Sequence, residues 1–384
     1  MIVTSESKPL PEATGASPTP NSAPQTGTSA PGPQTPPVPA SPATSPALPH
    51  RRRPRYSGKN PRKFAEKYKE HDPQRYTETV AKVLAAGKTP AGTHRPVMVA
   101  EILEALAPKP GEVAVDGTLG YGGQAQELLA RLPPGGRLLG LDADPRELPK
   151  TEARLRALGF GPEVFTAHRS NFAGLPQVLA AAGLAGADVI LADLGVSSMQ
   201  LDDPTRGFSV KLDGPLDMRM NPQRGQPASA WLTKIRPAPL AELLAENADE
   251  PHAAVLAGAL AGRTFASTLA LASAVRDALP ELHENEAELS VRRVFQALRI
   301  AINDEFSALS TFLRQLPACL NPGGRVAILT FHSGEDRRVK KAFEQGRQSG
   351  AYADIAREVV RPSASERHAN PRSTSAKLRW ARKG

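Results

Sequence analysis

Short apolar segments alternate with helical segments along this chain, and this alternation constrains the fold more than any other feature of the sequence. The segments GEVAVDG, GRLLGLD and GADVILADLG have the length and composition of buried strands, and helical patterns such as GGQAQELLARL separate them. A later stretch, RVFQALRIAINDEFSALSTFLRQL, has the pattern of one long helix and leads into the turn and strand NPGGRVAILTF. Strands separated by helices form parallel sheets with helices on both faces. The sequence therefore predicts an α/β fold with a doubly wound, mostly parallel sheet.

A glycine-rich turn joins the first of these strands to its helix. In VDGTLGYGGQAQELL, residues 115–129, the residues Gly120, Gly122 and Ala125 satisfy the dinucleotide fingerprint G-x-G-x-x-G/A. A turn of this kind is typical of a site for a nucleotide-like ligand. The match alone does not distinguish a nicotinamide cofactor from S-adenosylmethionine.

Three of the predicted strands end in an aspartate: Asp116, Asp142 and Asp193. Ligands of parallel sheets bind outside the carboxyl ends of the strands, and Asp142, twenty residues after Gly122, has the spacing of a carboxylate that contacts a ribose. Both candidate ligands contain a ribose. Asp116 and Asp193 would repel the pyrophosphate of a dinucleotide but attract the sulfonium and ammonium groups of S-adenosylmethionine. The cluster thus favours S-adenosylmethionine and predicts a Rossmann-like class I methyltransferase.

Composition and periodicity divide the chain into five parts. Residues 1–58 are a Pro-rich tail ending in a basic cluster, too poor in large apolar side chains to offset the entropy cost of ordering them. Residues 59–90 have the pattern of a basic helical arm. The methyltransferase core is expected in two parts, 91–201 and 291–384. Between them, residues 202–290 lose the strand and helix rhythm, and we interpret them as a helical insert that serves as a substrate-recognition subdomain.

The charge of the chain favours a polyanionic partner. Its formal net charge is +9 and its pI is near 9.7, and lysines or arginines that neutralise phosphates release condensed counterions. Nine basic residues lie between Arg51 and Lys69, with only Glu66 to oppose them. The alternative is a solvated basic segment that touches no partner.

The remaining composition argues for a cytoplasmic protein without a metal. A single cysteine, Cys319, fits a reducing compartment, and the eight histidines show no metal-ligand spacing. The sequence predicts neither a signal peptide nor a membrane helix, because the Ala-rich stretch near residue 260 is interrupted by Arg263.

Four motifs carry a resemblance to a known family. They are LADLGVSSMQLDDPTRGFSVKLDGPLDMRM, VRRVFQALRIAIN, FHSGEDRRVKK and NPRSTSAKLR, in this order. Together they closely resemble the MraW family, also called ribosomal RNA small subunit methyltransferase H, over about residues 94 to 384. The resemblance implies methylation of the exocyclic N4 amine of a cytosine in the decoding region of 16S ribosomal RNA. The implied partner is 16S ribosomal RNA, within a small subunit or its precursor, and both a monomer and a homodimer remain open.

The resemblance also implies a set of cofactor contacts, to which the turn itself adds Gly120. The family's contacts fall on Gly122, Gly123, Gln124, Asp142, Phe172, Asp193 and Gln200. Family members commonly have histidine at the position of Gln124, and Thr118 replaces the first glycine expected of a general methyltransferase turn. The segment before residue 90 is expected to lie outside the resemblance.

The chemistry of nitrogen methylation suggests catalytic residues. The lone pair of a cytosine amine is delocalised into the ring, so an acceptor must hold the amine hydrogens and take a proton. DNA amino-methyltransferases commonly use a Pro-Pro-aromatic motif here, whereas this chain has DLGVSS, which offers Asp193, Ser197 and Ser198. Asp193 either handles the amine protons or only positions the cofactor.

Two further motifs leave alternatives open. FHSGED places His332 near the same edge of the sheet, where it would position the base or the RNA. Ser333 and Asp336 fit a capping box at a helix start, which is the safer role for the serine. In GPLDMRM, Asp217 and Arg219 form either an ion pair that fixes the insert or a substrate contact.

Overall fold

The computed structural model describes residues 96–384, so the predicted tail at 1–58 and arm at 59–90 lie outside the described part. Within that part, the chain forms seven strands and thirteen α-helices. The strands are β1 Val113–Asp116, β2 Arg137–Asp142, β3 Phe165–Arg169, β4 Ala187–Asp193, β5 Leu320–Thr330, β6 Tyr352–Ile355 and β7 Lys377–Lys383.

The helices are distributed between the strands and in one long insertion after β4. They are α1 Val99–Leu106, α2 Gly123–Leu129, α3 Leu148–Ala157, α4 Leu175–Ala181, α5 Ser198–Asp202, α6 Ala228–Leu232, α7 Pro237–Ala248, α8 Ala253–Leu260, α9 Thr268–Asp277, α10 Glu284–Asn303, α11 Glu305–Cys319, α12 Ser333–Gln348 and α13 Ala364–Ala369.

All seven strands belong to one sheet, in the order β3-β2-β1-β4-β5-β7-β6. The strands from β3 to β5 pair in parallel, whereas β7 is antiparallel to both β5 and β6. The strand order reverses between β1 and β4, because the chain first builds outward to β3 and then returns to the other side of β1. Such a switch point leaves a crevice at the carboxyl ends of the strands, and ligands of doubly wound sheets bind there.

Both faces of the sheet are buried, which explains the nearly continuous apolar runs in its parallel strands. One face, with Val115 and Ile190 among its residues, packs against α4, α11 and α12. The opposite face, with Ala114 and Leu191, packs against α1, α2 and α3. The fold class predicted from the alternation of strands and helices is confirmed.

The insertion after β4 has a hydrophobic core of its own, formed by side chains of α6 to α10. The boundary expected at residue 290 falls inside α10, and the apolar residues Val291, Val294 and Leu298 of that helix belong to the core of the insert. Part of α10 therefore packs in the core of the insert.

The stretch predicted as one long helix is two helices. Asp304 separates α10 from α11 and has a left-handed backbone, with φ of 52°. The side chain of Asn303 makes long-range hydrogen bonds at the break: its amide accepts one from the N–H of Met220 at 2.7 Å and donates one to the carbonyl of Met218 at 2.8 Å. These bonds attach the end of α10 to the loop at residues 218–220.

Candidate active site

A cavity of about 840 Å³ opens at the carboxyl ends of the strands, beside the switch point between β1 and β4. The turn after β1, the ends of β2 and β4, and the loop at 219–225 supply most of its walls. The junction of α10 and α11 closes the side that faces the insert. The cavity therefore lies between the sheet domain and the insert.

The glycine turn wraps around the carboxylate at the end of β2. Gly120 and Gly122 have left-handed backbones, with φ of 48° and 75°, a conformation that glycine adopts without steric cost. The N–H of Gly120 donates to Oδ2 of Asp142 at 2.8 Å, and the N–H of Asp144 donates to Oδ1 at 2.8 Å. Asp142 thus holds the turn in place, and each of its oxygens keeps a lone pair for a further donor.

Thr118 links the ends of β1 and β4. Its hydroxyl accepts a hydrogen bond from the N–H of Asp193 at 2.6 Å, and its own N–H donates to Oδ1 of Asp116 at 3.0 Å. A glycine at this position could not make the first of these bonds. The departure from the general methyltransferase turn therefore has a structural role in this chain.

Asp193, at the end of β4, is one of the carboxylates that line the cavity. The side-chain amide of Gln124 donates to its Oδ2 at 2.7 Å. Its other oxygen, Oδ1, is buried and has no hydrogen-bond partner among residues 96–384. A buried acceptor without a donor costs free energy unless a ligand supplies one.

Burial raises the pKa values of all three strand-end aspartates. It raises the pKa of Asp116 to about 7; the N–H of Thr118 opposes this rise, and the nearby charges of Asp193 and Asp142 add to it. It likewise raises the pKa of Asp193 to about 7, although the Gln124 hydrogen bond opposes this, and that of Asp142 to about 6. The site therefore favours a cationic ligand, which would remove the cost of ionising these groups.

Ser197 and Gln200 begin the short helix α5 as a capping box. The hydroxyl of Ser197 accepts from the N–H of Gln200 at 3.3 Å, and the Gln200 side chain accepts from the N–H of Ser197 at 2.9 Å. The amide of Gln200 also donates to Asp144 at 3.0 Å. Ser197 and Gln200 both line the cavity, but the polar atoms of Gln200 are already used within the protein.

A buried ion pair joins the insert to the loop that follows β2. Arg206 and Asp144 are 3% and 1% exposed and lie 2.7 Å apart. A second N–H group of Arg206 donates to the carbonyl of Met220 at 2.9 Å. The N–H of Asp144 also donates to Asp142. The pair therefore connects the end of β2 to the loop at 219–225 on the other side of the cavity.

Two arginine ion pairs lie on the side of the cavity that faces the insert, which we call the acceptor side. Arg219 is held by both oxygens of Asp217, at 2.6 and 2.8 Å, so the predicted ion pair is present, and Arg219 also lines the cavity. Arg299 makes a similar bidentate pair with Glu305 at 2.9 and 2.8 Å. The acceptor wall therefore carries two oriented guanidinium groups.

In the described part of the chain, His332 does not line the cavity, whereas Glu335, one turn further along α12, does line it. His332 packs against the ring of Phe306, and its Nε2 lies 3.2 Å from Oε1 of Glu335. Burial alone would raise the pKa of Glu335, but His332, Arg299 and the Phe331 N–H together hold it below its ordinary value. His332 thus lies behind Glu335, and the carboxylate faces the cavity.

The predicted cap at the start of α12 is wrong. The residue that precedes the helix is His332, and the hydroxyl of Ser333 donates to Asp249 at 2.6 Å. Asp336 instead pairs with Arg379 at 2.6 Å. Ser333 and Asp336 therefore both bind residues that are distant in sequence and do not cap α12.

The structure brings together most of the residues predicted to form the site. The cavity is lined by Gly120, Gln124, Asp142, Phe172, Asp193, Ser197 and Gln200. Gly122 and Gly123 lie at the start of α2 outside the lining, where an added Cβ on Gly123 would come within 3.1 Å of Pro96. The side chain of Ser198 lies outside the described part of the structure, and Asp116 is buried behind the turn.

Sequence reasoning missed four residues of the site: Asp144, Arg206, Asn303 and Glu335. The motifs GLDADP, TRGFS, AIND and SGED contain them and were available as signals. Their partners are distant in sequence, so spacing alone did not reveal their roles. Within residues 96–384, no group of three or more His, Cys, Asp or Glu side chains is placed to hold a metal ion, and no helix there is long and apolar enough to cross a membrane.

The model of the MraW methylase family matches residues 91–384. The chain belongs to the MraW methylase family. This confirms the resemblance carried by the four motifs, and with it the methyltransferase activity. Because a methylase requires a methyl donor, the predicted cofactor, S-adenosylmethionine, is confirmed for this member of the MraW family.

The chain is also similar to individual relatives and to a solved structure. The chain is 48% identical over 341 residues to "Ribosomal RNA small subunit methyltransferase H 1" of Lachnoclostridium phytofermentans, covering 86% of this chain and 93% of the relative. It is 42% identical over 309 residues to the corresponding protein of Anaeromyxobacter sp. (strain K), covering 76% and 97%. A crystal structure of a Streptococcus mutans methyltransferase in complex with SAH aligns with a TM-score of 0.35 and 12% identity, over 76% of this chain and all of that one.

The coverage corrects one expectation about the segment before residue 90. Residues 91–384 are 294 of the 384 residues, roughly three quarters of this MraW protein. The Lachnoclostridium relative covers 86%, so the similarity reaches into the predicted arm. The Anaeromyxobacter relative is nearly fully covered by 76% of the chain. Similarity before residue 90 is therefore found with some relatives and not with others.

Proposed function

We propose that this protein transfers a methyl group from S-adenosylmethionine to the N4 amine of a cytosine in the decoding region of 16S ribosomal RNA. Two relatives are named as methyltransferases of the small-subunit ribosomal RNA, and the family resemblance supplies the cytosine and its region. The observation that carries the proposal is the buried Oδ1 of Asp193, which lacks a donor among the described residues and belongs to a residue that lines the cavity.

The residues around the cavity fit S-adenosylmethionine. Asp142 keeps lone pairs for ribose hydroxyls, and the carboxylates of Asp193 and Asp116 lower the energy of a nearby cation. Gly117 matters as well, because a Cβ there would come within 3.3 Å of the Cβ of Phe172, which lines the cavity. We assign Gly120, Asp142 and Phe172 to the cofactor.

When bound, S-adenosylmethionine supplies an electrophilic methyl group; the chain itself must make the amine a nucleophile. Oδ1 of Asp193 accepts a hydrogen bond from the amine, which draws the nitrogen lone pair out of conjugation with the ring. Transfer of the methyl group would break its bond to sulfur and leave S-adenosylhomocysteine, and the carboxylate of Asp193 takes the proton that the amine must lose. Gln124 fixes the orientation of the carboxylate through Oδ2 and so leaves Oδ1 for the substrate.

The acceptor side suits a nucleotide. Arg219 and Arg299 present guanidinium groups at the cavity wall, and Phe306 and Phe331 also line it. Single-stranded RNA is recognised by aromatic and guanidinium planes that stack on unpaired bases and by cations that contact phosphates. The target cytosine must leave its stack to reach Asp193.

Two alternatives are less well supported. A nicotinamide-dependent oxidoreductase would place a pyrophosphate against Asp193 and Asp116, and it is not a methylase. A protein that only binds RNA would not need a buried, unpaired carboxylate in a cavity beside a glycine turn.

The proposal is tested by mapping N4-methylated cytosines in 16S ribosomal RNA from cells with and without the gene. Purified protein with labelled S-adenosylmethionine should methylate the same cytosine in small subunits or in 16S ribosomal RNA. Comparing these two substrates also shows which one the enzyme uses. Retention of every N4-methylcytosine after deletion of the gene, together with no transfer in vitro, would refute the assignment.

A further inference from the structure

A second cavity, of about 350 Å³, lies beside the donor cavity on the side of the insert. The two share Val196, Leu201, Arg299 and Arg372 as a common wall. We call the second one the flanking cavity. Its own walls are Phe208, Val210, Lys211, Met218, Arg292 and Phe295.

The floor of the flanking cavity is apolar. Phe208, Met218 and Phe295 are nearly fully buried, and they belong to the hydrophobic core of the insert. Their packing makes the floor rigid, because these side chains are held by neighbours on α10 and in the loop before α6. A volume of this size matches the lower end of the range for small-ligand sites.

The rim of the flanking cavity carries two unpaired cations. Lys211 and Arg292 are exposed, and neither side chain forms an ion pair within residues 96–384. The other two arginines of the cavity, Arg299 and Arg372, are paired with Glu305 and Asp202. The free positive charge is therefore concentrated at the mouth, above an apolar floor.

We propose that the flanking cavity binds the RNA nucleotide next to the target cytosine, with its base on the apolar floor and its phosphate between Lys211 and Arg292. This rests on the proposed function, because it takes the occupant of the donor cavity to be a base of the same RNA strand. An apolar floor with cations at the rim is the arrangement by which proteins hold unstacked single-stranded nucleotides. The shared wall places such a nucleotide directly beside the target, where it keeps the strand open.

The charges are tested by the double variant Lys211→Glu/Arg292→Glu. A matched control, Lys234→Glu/Arg236→Glu, makes the same change in charge at exposed residues of the insert that line neither cavity. The full chain with bound S-adenosylhomocysteine is titrated into a fluorescent single-stranded RNA that contains the target cytosine, from 50 to 200 mM salt. Loss of two phosphate contacts should weaken binding at least about tenfold at low salt and make the log–log salt slope shallower by about 1.4.

The control should bind like the wild type, and all proteins should bind S-adenosylhomocysteine equally, which shows that the variants are folded. Equal RNA affinities and slopes for the two double variants would overturn the proposal.

The base is tested separately with RNAs that have an abasic residue on either side of the target. One of them should bind wild-type protein about tenfold more weakly, as expected for the loss of one base contact. Undiminished binding of both abasic RNAs would refute a base in the flanking cavity. Failure of wild-type protein to methylate any ribosomal RNA would instead refute the proposed function, so the two failures are distinguishable.

Discussion

The affinity for S-adenosylmethionine should fall as the pH is lowered through 7. Burial raises the pKa of Asp193 to about 7 and that of Asp116 to about 7 in the protein without ligand. A cation in the cavity stabilises the ionised forms, so binding must release whatever protons these groups carry. Below pH 7 protonation competes with the ligand, and the loss of affinity follows from the fraction of each group that is ionised.

For one carboxylate with a pKa near 7, the ionised fraction falls about fivefold between pH 7 and pH 6, and two such groups give about thirtyfold. Asp142, whose pKa burial raises to about 6, adds less than about twofold to the loss between pH 7 and pH 6 and more below pH 6. The amino group of S-adenosylmethionine stays protonated between pH 6 and pH 7, since amines of this kind lose their proton only near pH 8. Its charge therefore does not offset the loss of affinity.

Isothermal titration calorimetry from pH 5.5 to 7.5 measures both the affinity and, in buffers of different ionisation enthalpy, the protons released. Asp193→Asn should reduce the change in affinity between pH 7 and pH 6 from about thirtyfold to about fivefold, because Asp116 is still present. Glu127→Gln should leave the pH dependence unchanged, because Glu127 is an exposed carboxylate of α2 that pairs with Arg131 at the surface. Equal affinity at pH 6 and pH 7 without proton release would show that the carboxylates are not coupled to the ligand.

The same aspartates change the stability of the fold with pH in the opposite direction to the change in affinity. Their pKa values are raised above the usual value near 4, so the unfolded chain ionises first as the pH rises. Without ligand, the stability that these groups contribute is complete below pH 4 and is lost as the pH rises to 7.

Three further predictions concern individual residues and the arm. Asp193→Asn should lower single-turnover methyl transfer more than it lowers cofactor affinity, because the carboxylate is proposed to take the amine proton; equal losses would leave it a positioning role only. Arg206→Met should lower the free energy of unfolding in urea by about 3–5 kcal/mol, since it leaves Asp144 buried without its partner. The control Arg131→Met breaks an exposed pair and should cost at most about 1 kcal/mol, so similar losses in both variants would contradict the importance of burial. Deleting residues 1–92 should make the salt slope of RNA binding shallower by about 0.7–0.9 for each lost phosphate contact while the same nucleotide is methylated; an unchanged slope would mean that the arm does not touch RNA.

The fold and the cofactor side of the site were predictable because both depend on local patterns. A buried parallel strand is a short apolar run, and the residue that ends it lies at a known edge of the sheet. Asp116, Asp142 and Asp193 could therefore be placed together from the sequence alone.

Side chains that are fixed by contacts between distant parts of the chain were less predictable. Gln200 was expected to contact the cofactor, yet its amide donates to Asp144, 56 residues earlier. His332 was expected at the site, but the start of α12 at Ser333 puts Glu335 on the cavity wall and His332 behind it. Burial decides which of two neighbouring polar residues faces a cavity, and burial is a property of the tertiary structure.

The position of β7 has a consequence for the order of folding during synthesis. β7 is the last strand in the chain, yet it lies between β5 and β6 and pairs with both. Until Lys377–Lys383 has left the ribosome, one edge of β5 is unpaired and β6 has no neighbour to hold it in the sheet. The nascent chain must therefore keep an apolar strand edge exposed while nearly all of the domain has already been made, and such edges are where chains associate wrongly. Aggregation during translation, rather than loss of the active site, is the failure expected first of a chain that stops before residue 377.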